Sequence, residues 1–192
     1  MTVLNTGEKA FALSLSRKTL ALFLETKNKS AALELPAPEI FSRQASVGVS
    51  FWLHGTLRGC HIIRGKTIYD AIIEATKESA QDARFKPLHL GDLVEVRIQI
   101  SIISNTWNEM DKKKIESLEI NATKGYFLET GERSGWFLPE IFNITQFASL
   151  EELIRRLAIE KARVSPSVLR DKKTKIYFFD TDDFIEGVSG NT

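Results

Sequence analysis

The chain has 192 residues, of which 43% are hydrophobic, which is enough to bury a core and argues against a disordered chain. Its 26 Lys and Arg and 25 Asp and Glu are scattered, so the overall charge gives no attraction to nucleic acid or to an anionic membrane. A single cysteine excludes an intramolecular disulfide framework, and no apolar run approaches the ~20 residues that span a bilayer, so we expect a cytoplasmic protein without a membrane segment.

The first half of the sequence predicts a helix, a β-hairpin and a second helix. Apolar residues at helical spacing predict an amphipathic helix over residues 6–27. Alternating apolar residues predict a strand over 47–53, and His54-Gly55 is a turn signal before a second extended segment at 56–63. The next helix is predicted over 67–80, with the threonine that opens this range as its N-cap.

The middle of the chain predicts strands separated by polar segments. After a connector at 82–90, apolar and polar residues alternate over 94–102, which is the clearest strand pattern in the sequence. Residues 105–114 are polar and carry a run of charges, so we expect a solvated loop there. Shorter extended segments are predicted at 115–120 and 125–129.

The C-terminal part predicts a turn, a helix and a last strand. Gly131-Glu132 is a turn signal, and Ser149 with Glu152 forms a capping box that opens a helix. A final strand is predicted at 176–179. Because strands and helices interleave without the regular alternation of a parallel doubly wound fold, we expect an α+β fold, with a mainly antiparallel sheet flanked by helices.

The motifs of common enzyme classes do not occur in the sequence. It contains no P-loop, no Gly-rich dinucleotide fingerprint, no paired-His zinc motif and no nucleophile elbow, so we predict no cofactor. The segment Leu57–His61 is distinctive because it combines the single cysteine with an arginine, a glycine and a histidine.

In an extended backbone this segment divides its side chains between two faces. Arg58 and Cys60 lie on one face, whereas Gly59 and His61 lie on the other. A neighbouring guanidinium favours the thiolate, which is the reactive form of cysteine. Cys60 is therefore a candidate nucleophile, and the alternative is a structural cysteine that packs as a small hydrophobe.

The histidines offer few partners for this thiol. His61 is a poor base for Cys60 because it lies on the opposite face, so His54 or His89 would have to be brought in by folding. Ligation of a metal by Cys60, His61 and His54 has poor geometry, because adjacent residues on opposite faces chelate badly. We predict no metal site.

A second cluster, Asp82–Leu88, follows the predicted second helix. Its carboxylate, guanidinium and aromatic ring, from Asp82, Arg84 and Phe85, would suit an anion or peptide site on a loop. The alternative is a structural pair between Asp82 and Arg84, with Phe85 and Leu88 filling the core.

The order of these clusters resembles the hallmark of the AMMECR domain family. Leu57-Arg58-Gly59-Cys60 follows a strand, and Asp82-x-Arg84-Phe85-x-Pro87-Leu88 follows the next helix. Phe137-Leu138-Pro139-Glu140, the helix that ends at Lys161-Ala162, and Arg17-Lys18 near the start are also similar to that family. The resemblance covers nearly the whole chain.

The resemblance implies one α+β domain over residues 1–192, with a larger lobe that contains the sheet and a smaller second lobe. It implies that a surface between lobes is lined by the hallmark residues, to which we add His61; the candidates are Arg58, Gly59, Cys60, His61, Asp82, Arg84 and Phe85. The sequence departs from the family pattern at two places: His61-Ile62 stand where the family has Ile-Gly, and Arg163 stands where it has glycine. Family members occur beside or fused to Memo-like and radical SAM proteins, which are the partners that the resemblance implies.

Three functions remain open from the sequence. One is an enzyme that uses Cys60 in a cleft lined by Arg58 and Arg84. The second is a protein-binding or adaptor module that uses the same surface without catalysis. The third, a nucleic-acid-associated factor, is disfavoured because the net charge is near zero.

The tryptophans give no support to nucleic-acid binding. Trp52, Trp107 and Trp136 are far apart in sequence, so we expect them to pack in the core or at its rim rather than form a stacking surface.

Overall fold

The computed structural model describes residues 3–28 and 34–187. Helix α1 (Thr6–Thr26) begins at Asn5, whose side chain accepts a hydrogen bond from the Glu8 backbone while the Glu8 carboxylate accepts one from Asn5. This reciprocal capping satisfies two backbone donors that a helix start leaves open. The helix ends at Lys27 in a left-handed conformation, which confirms the predicted range.

The predicted hairpin and second helix are confirmed. Strands β1 (Gln44–Leu53) and β2 (Thr56–Thr67) are antiparallel and are joined by His54-Gly55, where both residues have positive φ. Helix α2 (Ile68–Ala80) follows directly, and the Thr67 side chain accepts a hydrogen bond from the Asp70 backbone as its N-cap.

The remaining strands complete an antiparallel sheet. They are joined by loops and short 3-10 helices, and the elements are β3 (Arg97–Glu109), β4 (Gly125–Thr130), β5 (Arg133–Phe137), helix α3 (Leu150–Arg156), and β6 (Lys175–Ile185). The strand order is β2-β1-β3-β6-β4-β5, and the pairs β1/β2, β1/β3, β4/β5 and β4/β6 are antiparallel. Helices and this sheet together confirm the α+β fold.

Three predicted segments in the middle of the chain are wrong in part. The strand predicted from residue 94 begins at Arg97, because 90–94 form a 3-10 helix in which Val94 is exposed. The strand then continues to Glu109, so it includes the first part of the segment 105–114 that was predicted as a loop. The stretch predicted as extended at 115–120 begins inside another 3-10 helix, Lys112–Ser117.

The chain divides into two compact units, each with its own core. The first unit comprises described residues within Thr2–Ile103 and Asp182–Thr192, and the second lies within Ser104–Thr181. In the first, helices α1 and α2 pack on one sheet face through fully buried residues that include Leu15, Val49, Phe51, Ile72 and Ile100. In the second, α3 packs on strands through residues that include Leu128, Phe137, Leu153, Leu157 and Ile176.

In the second unit, five aromatic rings gather on the sheet face opposite α3. They are Trp107, Phe127, Trp136, Tyr177 and Phe179, and the two indole rings lie 5.1 Å apart, edge to face. The prediction that the tryptophans do not gather is therefore wrong for Trp107 and Trp136, because adjacent strands bring together residues that are distant in sequence. All three tryptophans are half-buried, as expected at the rim of a core. Within the described ranges, no helix has the length and apolar character needed to cross a membrane.

Candidate functional site

Gly59 fixes the distance between strand β2 and the end of helix α2. A side chain at this position would overlap the carbonyl oxygen of Ser79, so only glycine allows the close approach. The Ser79 hydroxyl also donates a hydrogen bond to the carbonyl of Val49 on the neighbouring strand, at 2.8 Å. The end of α2 is thereby held against the sheet, and the loop that leaves it, residues 81–89, starts beside Cys60.

The Asp82 carboxylate and the Arg84 guanidinium together bind the backbone of Cys60. The amide of Cys60 donates to Asp82 Oδ2 at 3.2 Å, and Arg84 Nη2 donates to the Cys60 carbonyl at 2.8 Å. Strand β2 is at the edge of the sheet, so these two side chains satisfy backbone groups that would otherwise face an open edge.

Asp82 and Arg84 are also bound to each other in a bidentate pair. Arg84 Nε lies 2.8 Å from Asp82 Oδ1, and Nη2 lies 2.6 Å from Oδ2. The Asp82 side chain is only 6% exposed, whereas that of Arg84 is 41% exposed. The structural pair that the sequence left as an alternative is therefore present, and it is built around Cys60.

Electrostatics favour the charged form of both partners. Burial opposes ionisation of Asp82, but hydrogen bonds from the Arg84 side chain and from the backbone of Cys60 and Arg84 outweigh it and lower the pKa of this carboxyl. The hydrogen bond to Asp82 raises the pKa of Arg84 against the opposing effect of burial, and the charge of Cys60 raises it further. The half-buried Cys60 thiol thus lies within electrostatic range of the guanidinium.

A second arginine ties the same strand to the same loop. Arg58 Nη2 donates to the carbonyl of Lys86 at 3.0 Å. From Arg58 to Cys60 the residue number rises along β2, whereas the number of the loop residue bound to each falls from Lys86 to Arg84. The loop therefore runs antiparallel beside the edge of β2. Phe85 lies between these contacts, with its ring centre 5.5 Å from the Arg84 guanidinium carbon.

The three histidines lie in separate parts of the first unit. His54 Nε2 lies 2.9 Å from Glu95 at the hairpin turn, and the exposed His89 opens a 3-10 helix, with its amide bound to Asp92. His61 is exposed and pairs with Val49 in the sheet register. Among residues 3–28 and 34–187, no group of three or more His, Cys, Asp or Glu side chains is placed to hold a metal ion.

The two departures from the family hallmark have different structural consequences. Ile62 lies in regular strand opposite Gly48, and His61-Ile62 need no positive φ, so the replacement of Ile-Gly leaves ordinary strand geometry. Arg163, in contrast, has φ of 56° at the end of the π-helical turn Leu157–Ala162, a conformation that glycine adopts at no steric cost.

Sequence reasoning missed two residues of this site, Ser79 and Lys86. Their contacts with strand β2 are made by backbone carbonyls: that of Lys86 accepts a hydrogen bond from Arg58, and that of Ser79 abuts Gly59. Every residue has a carbonyl, so the residue types give no signal for these contacts. The glycine of the hallmark was the one indication that a backbone passes close to β2.

Comparison with known proteins matches this chain to one family. The model of the AMMECR1 family matches residues 13–184. A protein of Methanocella arvoryzae is 24% identical over 198 residues, covering 98% of this chain and 96% of its own length. A protein of Caldivirga maquilingensis is 28% identical over 139 residues, covering 68% of this chain and 61% of its own.

A solved structure has the same fold. The crystal structure of the uncharacterised protein PH0010 from Pyrococcus horikoshii superposes with a TM-score of 0.82. The match covers 95% of this chain and 93% of that one, at 22% identity. At this identity the similarity shows the fold and gives no information about function.

Proposed function

The chain belongs to the AMMECR1 family, and we propose that it is a cysteine-dependent enzyme in which Cys60 is the nucleophile and Arg84 stabilises its thiolate. One observation carries the proposal: the Arg84 guanidinium bridges the Asp82 carboxylate and the Cys60 carbonyl, which fixes a positive charge at the residue that bears the thiol. A permanent cation held next to a half-buried thiol favours the anionic form of sulfur.

The roles of the two loop residues differ in this proposal. Arg84 cannot accept a proton, because its pKa is far above neutral pH, so it acts only as a fixed positive charge. Asp82 holds that charge in place through two hydrogen bonds. The thiol proton then passes to solvent, and the thiolate is the attacking group.

The pH dependence of Cys60 alkylation tests this proposal. We expect iodoacetamide to react with wild-type Cys60 along a titration curve whose midpoint lies below the free-thiol pKa of about 8.5. Arg84→Gln should raise the midpoint, because the positive charge is lost. Arg84→Lys should restore part of the decrease, because a cation remains.

Two variants serve as controls for the alkylation experiment. Cys60→Ser should remove all labelling, since the chain has one cysteine. Arg133→Gln removes an exposed arginine from strand β5 and should leave the midpoint unchanged. A wild-type midpoint at or above that of a free thiol, with no response to Arg84→Gln, would contradict the proposal.

A second function, a non-catalytic binding module, is favoured by a separate observation. His54 is engaged with Glu95, and the Asp82 and Arg84 hydrogen bonds to Cys60 serve its backbone rather than its sulfur. In that case the partner, for which Memo-like and radical SAM proteins are the candidates, would contact Arg58 and Arg84. Capture of such a partner by wild type and Cys60→Ser but not by Arg58→Glu would favour this function; equal capture by all three would exclude it.

A further inference from the structure

Two cationic residues, Arg58 and Lys86, meet where strand β2 and the loop of residues 81–89 are joined. Arg58 is two residues before Cys60 in strand β2, and its guanidinium is bound to the carbonyl of Lys86. We propose that Arg58 and Lys86 form an anion-binding pair, and that the substrate of the Cys60 site carries a carboxylate or phosphate group at this pair. The assignment to a substrate rests on the proposed function, whereas the anion-binding pair itself does not.

The Arg58 guanidinium is oriented but only partly used. One of its nitrogens, Nη2, donates to the Lys86 carbonyl at 3.0 Å, and this bond reduces the freedom of an otherwise flexible side chain. Within the two described ranges the guanidinium forms no other hydrogen bond, so Nε and Nη1 remain to donate. Nη2 also keeps a second hydrogen, and together with Nε or with Nη1 it forms the edge that a carboxylate or phosphate engages in pairs.

Lys86 is held at a fixed place by its own backbone. Its carbonyl is bound to Arg58, and the next residue is Pro87, whose ring restricts the chain. The Lys86 side chain is exposed. This side chain starts from the residue that the Arg58 guanidinium contacts, so its ammonium group can supply a point charge to the anion that the planar donors of Arg58 bind.

The local balance of charge is positive. Strand β2 (Thr56–Thr67) contains no Asp or Glu. The nearest carboxylate in the loop, Asp82, is 6% exposed and is neutralised by Arg84 in a bidentate pair. Neither Arg58 nor Lys86 has an ion pair with a carboxylate in the part of the chain that the structure describes. Their two charges are therefore available to a ligand.

A pair of alkylating reagents separates the charge of the ligand from the reactivity of the thiol. Iodoacetate and iodoacetamide react with cysteine by the same displacement, in which the sulfur–carbon bond forms and iodide leaves, but only iodoacetate carries a carboxylate. We expect the ratio of their rates at Cys60 to exceed the ratio for the double variant Arg58→Gln/Lys86→Gln by about three- to tenfold, since each partly exposed charge contributes a fraction of a kcal/mol.

Matched controls define the origin of that ratio. The double variant Lys112→Gln/Arg170→Gln removes two cationic side chains from the second unit and should leave the ratio at the wild-type value. Acetate and inorganic phosphate, added separately, should each slow iodoacetamide labelling of wild type, and the stronger inhibitor identifies which anion the pair prefers. Equal rate ratios in wild type and in Arg58→Gln/Lys86→Gln would overturn the proposal.

A binding measurement keeps the anion site testable if the thiol is unreactive. In the Cys60→Ser background, inorganic phosphate should broaden or shift in ³¹P NMR, and the addition of Arg58→Gln/Lys86→Gln should weaken this binding by about tenfold. Binding of phosphate together with inert Cys60 would reject the nucleophile and support the anion pair. Absence of phosphate and acetate binding, with normal thiolate formation, would reject the pair and support the nucleophile.

Discussion

Arg163 shows how one backbone conformation can select a residue type. It ends the π-helical turn Leu157–Ala162 with φ of 56° and ψ of 46°, where an L side chain crowds the following carbonyl. The family resemblance predicts glycine at this position, and the structure supplies the reason. The same left-handed geometry closes α1 at Lys27.

Replacement of Arg163 by glycine should therefore stabilise the protein. We expect Arg163→Gly to raise the free energy of unfolding by about 0.5 to 1 kcal/mol, because relief of left-handed strain exceeds the added entropy of the unfolded chain. Urea denaturation at constant m would measure it. Arg163→Ala removes the same charge but keeps the Cβ, so it should show no such gain; equal effects of the two substitutions would contradict this explanation.

Among the site residues, the pairing of side chains close in sequence could be predicted, but contacts between distant segments could not. The pairing of Asp82 with Arg84 follows from short spacing and opposite charge, and the structure contains it. That Asp82 also accepts from the Cys60 amide depends on the packing of Gly59 against Ser79, which is a meeting of two distant segments. The spacing of residues along the sequence does not give the distance between these two segments in the fold.

At the scale of elements, the loop of residues 81–89 acts as a substitute for a neighbouring strand. Asp82 and Arg84 bind the outward backbone groups of Cys60, and Arg58 binds the loop in return. An edge strand protected in this way is less open to pairing with another chain. The same contacts hold the guanidinium groups of Arg58 and Arg84 where the loop lies beside Cys60.

This arrangement predicts a pH dependence of stability. The pKa of Asp82 is lowered in the folded state, so its contribution is fully present above the unfolded value of about 3.9 and is lost as pH falls through the lower folded value. Asp82→Asn should cost about 1 to 2 kcal/mol at pH 7, because Arg84 and the Cys60 amide lose a charged acceptor. The difference from wild type should shrink below about pH 4.

Unfolding measured at several pH values would test the role of this carboxylate. The control is Glu119→Gln, at an exposed position in the second unit. It should change the free energy of unfolding only slightly, and the change should depend little on pH. If the difference in unfolding free energy between wild type and Asp82→Asn stays constant from pH 7 to pH 3, the ionised carboxylate does not stabilise the loop.

At the scale of the whole molecule, two strands run through both units, and this explains where strand prediction failed. The alternation found over 94–102 ends where β3 leaves the first core, near Ile103. The predicted last strand, 176–179, likewise covers only the part of β6 that lies in the second unit. Beyond each limit the backbone stays extended, but the pattern of buried side chains changes.

Arg17 joins distant parts of the first unit. From helix α1 it donates to the carbonyls of Leu93 and Val96, each at 2.7 Å, just before strand β3. Its Nε donates to Glu186 at 3.1 Å, a residue 169 positions later in the sequence, and its Nη2 donates to the other oxygen of that carboxylate. Glu186 also accepts from the amide of Ile98 at 2.9 Å.

Loss of this guanidinium should destabilise the first unit far more than loss of its neighbour. Arg17→Met keeps the apolar stem but removes the guanidinium from two carbonyls and leaves the partly buried Glu186 carboxylate without its cation, so we expect a cost of about 2 to 3 kcal/mol in urea denaturation. Lys18→Met removes an exposed charge from the same helix and should cost less than about 0.5 kcal/mol. Because Arg17 is partly buried, the destabilisation caused by Arg17→Met should persist at high salt, where exposed ion pairs are screened. Equal costs for the two substitutions would mean that helix α1 is held by its apolar face alone.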